Sequence, residues 1–248
     1  MSFLREVHRT SEVEDHYAFS IPAVAGLGSL KLDPKVTFFV GENGSGKSTL
    51  LEALAMASGF PPQGGSKFLN DWNSHPEERV LAKCLKLIRG HRRERDGFFL
   101  RAETFFNVAT VLERLDDDEY LREQFLRRNY GGNLHEFSHG ESFMNLALNR
   151  FKPDSLFFFD EPEAALSPQR QLSFLLLLDQ LTKQRCQFVI ATHSPILMAF
   201  PKSQLYFFDD DGIREMPYQE TEHFQFTRDF LQNRERYLRH LLKQPEQS

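Results

Sequence analysis

Gly41-Glu42-Asn43-Gly44-Ser45-Gly46-Lys47-Ser48 fits the spacing G-x-x-x-x-G-K-[ST] at every fixed position, and each fixed residue type meets a need of a bound polyphosphate. The glycines let backbone N–H groups converge on phosphate oxygens. Lys47 adds a point charge at the β and γ phosphates, and the Ser48 hydroxyl can ligate magnesium. Glu42, Asn43, Gly44, Ser45, Gly46, Lys47, Ser48 and Thr49 are therefore the candidate lining of a triphosphate site, with ATP and Mg2+ as its expected occupants. The competing reading is an incidental glycine loop. It is disfavoured because the loop lies between a β-prone run and a run of helix formers, as the motif demands.

Two further constellations suit the same chemistry. Leu156-Phe157-Phe158-Phe159 runs into Asp160-Glu161, which sets one carboxylate at the carboxyl end of a buried strand and a second just beyond it. Asp160 would hold magnesium, and Glu161 would orient and help deprotonate the water attacking the γ-phosphate. The bland alternative is that Glu161 only solvates a helix start, since Pro162 and Glu163 follow. Ser138-His139-Gly140-Glu141 precedes an apolar helical segment and reads as a capping box. A helix start exposing Ser138 and the backbone of Gly140 is equally an anion site, able to meet a γ-phosphate presented by another subunit, and both readings can hold together.

These groups need rigid elements to converge. Val36 to Val40 reads as a short strand, Lys47 to Ala57 as the helix after the loop, and Leu156 to Phe159 and Gln187 to Ala191 as strands covered on both faces. Ser142 to Asn149 and Pro168 to Thr182 read as helices, and Leu205 to Phe208 as an edge strand closing on Asp209-Asp210-Asp211-Gly212. The order β, α, β, α predicts an α/β fold with a mostly parallel central sheet and flanking helices. Pro61 to Asn70 is a loop, Val80, Leu81, Cys84, Leu85, Leu87 and Ile88 fall at helical spacing across Glu77 to Ile88, Gly97 to Glu103 reads as a strand, and Glu119 to Arg128 as an exposed helix. Together they suggest one domain over 1–248 with an inserted, mainly helical subdomain over 60–135. Near the C-terminus Phe230, Leu231, Tyr237, Leu238, Leu241 and Leu242 form a stripe that reads as core packing ahead of a partner site. Arg89, Arg92, Arg93 and Arg95 beside His91 read as a solvated helix end ahead of a phosphate-binding patch.

The phosphate loop, Ser138-x-Gly140-Glu141, Asp160-Glu161 and Thr192-His193-Ser194 occur in the order found in ABC-type ATPases, which the chain resembles from about Val36 to Asp209. The run Asp160-Glu161-Pro162-Glu163-Ala164-Ala165-Leu166-Ser167-Pro168 is similar to the soluble branch that includes the SMC-like, break-repair and overcoming-lysogenization-defect ATPases, and closest to compact single-domain members. The resemblance implies a P-loop NTPase fold of the ABC-ATPase type, hydrolysis of ATP, and a homodimer in which Ser138 and Gly140 bind the γ-phosphate held by the opposite copy. It implies that His193 is the switch histidine that contacts the γ-phosphate, that Glu103 stands where a magnesium-sensing glutamine is usual, and that Tyr17 or Arg5 packs on adenine. Glu103 could ligate magnesium or simply open a helix. His139, Glu141 and Ser167 depart from the usual glycine, glutamine and aspartate.

Thirty basic against 35 acidic residues give a net charge of −5, without the overall basic excess of a dedicated nucleic-acid binder. Cys84 and Cys186 lack metal-ligand neighbours at finger-like spacing, so they are expected as buried free thiols in a reducing compartment. Apolar runs fall far short of the ~20 residues that span a bilayer, and the start carries no signal-peptide pattern. A cytoplasmic ATPase is expected, paired with a second copy and linked to DNA or another protein in repair or defence, without direct membrane insertion. The rivals are an ATP-binding subunit of a membrane transporter and a non-hydrolysing ATP-gated scaffold.

Overall fold

A computed structural model describes residues 2–11, 16–32, 34–67, 79–101 and 139–242. In chain order the longer elements are β1 (Leu4–Arg9), α1 (Pro22–Ala25), β2 (Ser29–Lys31), β3 (Val36–Gly41), α2 (Lys47–Ala57), α3 (Val80–Lys83), β4 (Leu85–Arg89) and β5 (Asp96–Arg101). They continue with α4 (His139–Arg150), β6 (Ser155–Asp160), α5 (Pro168–Lys183), β7 (Gln187–Ala191), α6 (Pro195–Met198), β8 (Gln204–Asp209), β9 (Gly212–Glu215), α7 (Glu222–Gln232) and α8 (Arg234–Leu241).

Six strands form a sheet in the order β5-β6-β7-β3-β8-β9, parallel except for the β8–β9 hairpin. A second, antiparallel sheet has the order β2-β1-β4. Side chains of a strand alternate between faces, which explains the unbroken apolar run before Asp160. Phe157 and Phe159 join a core under α4 and α5 with Phe38, Phe174, Leu178 and Phe188. Leu156 and Phe158 face the other way, into a core shared with α2 and the small sheet through Phe39, Leu50, Leu54, Val7 and Leu30. Both faces are covered, as a parallel sheet requires.

Three expectations need correction. The helix read over Glu77–Ile88 is one turn, α3, followed by β4, whose residues pair with β1. Leu85 and Leu87 satisfy a two-residue period as well as a helical one, and long-range pairing decided between them. Gly97 to Arg101 belongs to β5, which pairs in parallel with β6 in the main sheet. The described part of 60–135 contributes β4 and β5 to the two sheets, and 68–78 and 102–135, the rest of the expected inserted subdomain, lie outside the described residues. Leu205 to Phe208 is no edge, because Asp209 to Gly212 turns the chain back into β9, which takes the edge. The C-terminal stripe is not core: α7 and α8 bury no residue, and Leu231 and Leu241 are about 70% exposed, at 71% and 72%. Phe230 and Tyr237 pack on each other at the turn between the two helices, with ring centroids 5.7 Å apart. No helix among the described residues is long and apolar enough to cross a membrane. Cys84 and Cys186 are free and buried, as expected.

Candidate active site

The strand order sets the site. β6, β7 and β3 are adjacent and parallel, so their carboxyl ends emerge side by side, with Asp160 and Phe39 both registered to Ala191. From these ends leave Asp160-Glu161, Thr192-His193 and the phosphate loop.

The loop's glycines answer specific constraints. Gly41 has φ of 143°, and a Cβ there would lie 2.3 Å from the Phe208 carbonyl oxygen on the neighbouring β8. Gly46 caps α2 at φ of 97° with no side-chain bond to the helix, and a Cβ would come 2.7 Å from Cγ2 of Ile21. An eleven-residue helix thus begins with first-turn N–H groups that no cap side chain satisfies, which suits an anion. Lys47 and Ser48 open that helix, Thr49 follows in its first turn, and Glu42, Asn43, Gly44 and Ser45 form the approach. Lys47 is buried, and its Nζ donates to the Glu42 carbonyl at 2.6 Å. The buried Ser45 Oγ has no hydrogen-bond partner among the described residues.

Ser48 Oγ donates to Asp160 Oδ1 at 2.8 Å, which joins two of the three expected magnesium ligands across the loop. Glu161 adopts the left-handed region at φ 49°, ψ 52°, its N–H donating to the Ala191 carbonyl at 2.9 Å. That turn re-aims the chain, leaving the Glu161 side chain 43% exposed and its Oε1 3.4 Å from His193 Nε2. Lys47 is surrounded by Glu161, Asp160, Glu163 and Glu42, whose charges oppose the burial that lowers its pKa. One buried cation among four carboxylates would repel a triphosphate, so a divalent cation fits the arrangement. Hard oxygen donors from one hydroxyl and one carboxylate match magnesium, which takes few protein ligands and completes its octahedron with water and phosphate.

His193 sits one residue past Thr192, just beyond β7. Its main-chain N–H donates to Glu163 Oε1 at 2.6 Å, and its Nδ1 lies 3.2 Å from Nε2 of His223 on α7. Burial, then the charges of Lys47 and His223, push His193 down to about 4, and burial lowers His223 too. Burial also raises Glu163. A depressed His193 pKa has a definite sign in stability. Between about 4 and the ordinary 6.5 the unfolded chain binds the proton and the folded chain does not. This contribution is complete above pH 6.5 and fades as pH falls toward 4. Nucleotide-free protein should therefore melt progressively earlier over that interval, and a His193→Gln variant should show a shallower Tm-against-pH curve. Parallel curves would refute this.

Sequence reasoning missed Glu163 as the anchor of the His193 backbone and missed His223 altogether. Glu163 was readable as an acid two residues past Glu161, but no motif links residues 193 and 223, which only folding brings together. Ser167, where an aspartate is usual in the resembled family, caps α5 by accepting the Arg170 N–H at 3.4 Å. Tyr17 is 66% exposed on a short 3-10 turn, Tyr17–Ser20, and the following Ile21 packs on Gly46. Arg5 lies on an outward position of β1. The basic cluster is no helix end: Arg89 closes β4 and bonds Glu94 at 2.9 Å, while Arg92 and Arg93 lie on the exposed turn to β5. Gly140 falls in the first turn of α4, whereas Ser138 and Glu103 lie outside the described residues.

Comparison with known proteins identifies the family and the fold. Residues 36–81 and 92–199, more than half of the chain, match the family described as "AAA domain, putative AbiEii toxin, Type IV TA system". A curated relative, the ABC multidrug transporter SNQ2 of Candida glabrata, is 25% identical over 180 residues, which cover 66% of this chain and 12% of the transporter. The chain thus spans about an eighth of that relative. Among solved structures, the ADP conformation of an ATP-binding cassette of an ABC transporter superposes with a TM-score of 0.50 at 16% identity, covering 97% of this chain and 99% of that one. A structure described as "an inward-facing conformation of a putative metal-chelate type ABC transporter" gives 0.51 at 15% identity, covering 92% of this chain and 88% of that one. The fold is the α/β P-loop fold of ABC ATPases.

Proposed function

The chain belongs to the AAA-domain family matched over residues 36–81 and 92–199, and from that premise we propose that it hydrolyses ATP with magnesium and uses the nucleotide to gate pairing with a second copy. The observation that carries this reading is the convergence of Lys47, Ser48, Asp160, Glu161 and His193 at three adjacent strand ends. Lys47 and the first turn of α2 bind the β and γ phosphates. Ser48 and Asp160, with Glu103 as a further donor, would hold magnesium, which when bound would supply the positive charge that offsets the phosphates. Glu161 takes a proton from water as the water oxygen bonds to the γ-phosphorus and the bond to the β–γ bridging oxygen breaks, leaving ADP and phosphate. His193 Nε2–H stabilises the charge developing on the γ-phosphate. Tyr17 is the better adenine partner than Arg5, because its segment is tied to the phosphate loop. Ser138 and the Gly140 backbone complete the site from the opposite copy, so hydrolysis removes the contacts that hold the pair.

The resemblance of Asp160 to Pro168 to the soluble branch supports a DNA-linked role in repair or defence. The transporter relative supports a second reading, in which this domain powers a membrane partner supplied by other residues or another chain. The first test is ATP turnover and oligomeric mass of the same preparation, with and without DNA. Turnover with an ATP-dependent rise in mass supports the first reading, and absence of both overturns it. Lys47→Ala should weaken Mg-ATP binding about 10- to 100-fold by calorimetry, since hydrogen bonds to charged groups contribute roughly 1.5–3 kcal/mol. Unchanged affinity would remove Lys47 from the phosphate site.

A further inference from the structure

An imidazole that is to stabilise a developing phosphate charge must present an N–H to it, and a neutral imidazole has only one N–H to give. In His193 the ring nitrogen directed toward the nucleotide site is Nε2, which lies 3.4 Å from Glu161 Oε1. The other, Nδ1, lies 3.2 Å from Nε2 of His223. If Nδ1 carried the proton, the His193 Nε2 lone pair would face the Glu161 carboxylate, and no N–H would be available for phosphate. In the opposite arrangement His223 Nε2–H donates to His193 Nδ1, and His193 Nε2–H, buried without a hydrogen-bond partner among the described residues, faces the Glu161 carboxylate at 3.4 Å or the phosphate oxygen that succeeds it.

We propose that His223 is a positioning residue for hydrolysis: its Nε2–H holds His193 in the tautomer that directs an N–H into the nucleotide site, making α7 part of the hydrolytic machinery. This rests on the reading of His193 given under Proposed function.

The contact is held from both sides. Thr221, wholly buried, donates to the Tyr218 carbonyl at 2.7 Å and caps α7 by accepting the Phe224 N–H. The Tyr218 hydroxyl donates to the Pro195 carbonyl at 2.9 Å, which fastens the approach to α7 onto α6 immediately after His193. On the other side Glu163 fixes the His193 main chain. The imidazole rings lie 5.3 Å apart between centroids at 56°, an angle set by these anchors. His223 Nδ1 is buried with no hydrogen-bond partner among the described residues. His193 Nε2 is likewise buried without a partner among them, and the Glu161 carboxylate 3.4 Å from it favours the N–H on that nitrogen, which puts the His223 proton on Nε2. Burial lowers the pKa of both rings and so favours their neutral forms, in which the tautomer is what the pair sets.

The test uses the full chain and two substitutions. His223→Leu keeps the volume but removes the donor, whereas His223→Gln restores an amide N–H. By comparison with other partners that orient a working histidine, the leucine variant should lose ~10- to 100-fold in kcat. Its KM for ATP should stay within about twofold, and the glutamine variant should recover most of the loss. Ring 15N NMR of nucleotide-free protein should show His193 as the Nε2–H tautomer in the parent and in the glutamine variant, and as a mixture in the leucine variant. A His193 Nδ1–H tautomer in the parent overturns the proposal, as does equal loss in both variants or loss in neither. The NMR result needs no turnover: a parent that fails to hydrolyse ATP refutes the hydrolytic reading, while the tautomer still decides the role of His223.

Discussion

Glu161→Gln is expected to bind Mg-ATP as tightly as the parent, to lose about 10²- to 10⁴-fold in turnover, and to accumulate as an ATP-bound dimer. The amide matches the carboxylate in shape and can still hydrogen-bond a water, but it cannot take the proton as the water attacks. Fold should be untouched, because the strain at this residue lies in the backbone, at φ 49°, and its bond runs from the main-chain N–H to Ala191. Glutamine tolerates that conformation about as well as glutamate does. The side chain is 43% exposed, so no buried charge is lost. Turnover by phosphate release and mass by light scattering can be read from one preparation. A variant that hydrolyses within tenfold of the parent would take Glu161 out of the base role. In that event Glu163, which is buried and already bonded to the His193 backbone, would be a poor replacement.

The largest expected stability effect lies away from the nucleotide. Gln187, 1% exposed at the start of β7, accepts the Phe3 and Leu4 N–H groups on Oε1 at 2.8 and 2.9 Å. Its Nε2 donates to the Leu4 and Leu32 carbonyls at 2.7 and 2.6 Å. One amide therefore uses all its hydrogen-bonding capacity to join the main sheet to the small one. Gln187→Leu preserves the approximate volume but withdraws these partners from buried backbone groups, each costing ~1–3 kcal/mol when left unsatisfied. A loss of about 3–5 kcal/mol is expected in urea unfolding of nucleotide-free protein. A loss below about 1 kcal/mol would mean that the small sheet finds other partners and that Gln187 does not join the sheets.

Local signals carried far where one element or one loop sets the answer. The strand Val36 to Val40, the helix Lys47 to Ala57 and the strand Gln187 to Ala191 agree with the structure to within a residue, since periodicity and the glycine loop act over a few residues. That Lys47, Ser48, Asp160 and Glu161 lie together was legible because the phosphate and magnesium chemistry proposed for them asks for particular residue types at fixed spacing. Segments whose pattern fits two periods went wrong. Leu85 and Leu87 suit a helix until β1 offers a partner strand, and Leu205 to Phe208 suits an edge until Gly212, at φ 120°, lets β9 fold back. The exposed stripe on α7 and α8 was misread because amphipathic spacing says that a helix has an apolar face, not what covers it.

By itself the sequence determined which residues are candidates for phosphate chemistry and that a parallel sheet carries them, because both follow from residue type and short-range order. The strand order β6-β7-β3, the Gln187 link between sheets and the contact of His223 with His193 were decided by the tertiary structure alone. Each depends on groups far apart along the chain, whose meeting is chosen by the packing of the whole core rather than by any local preference.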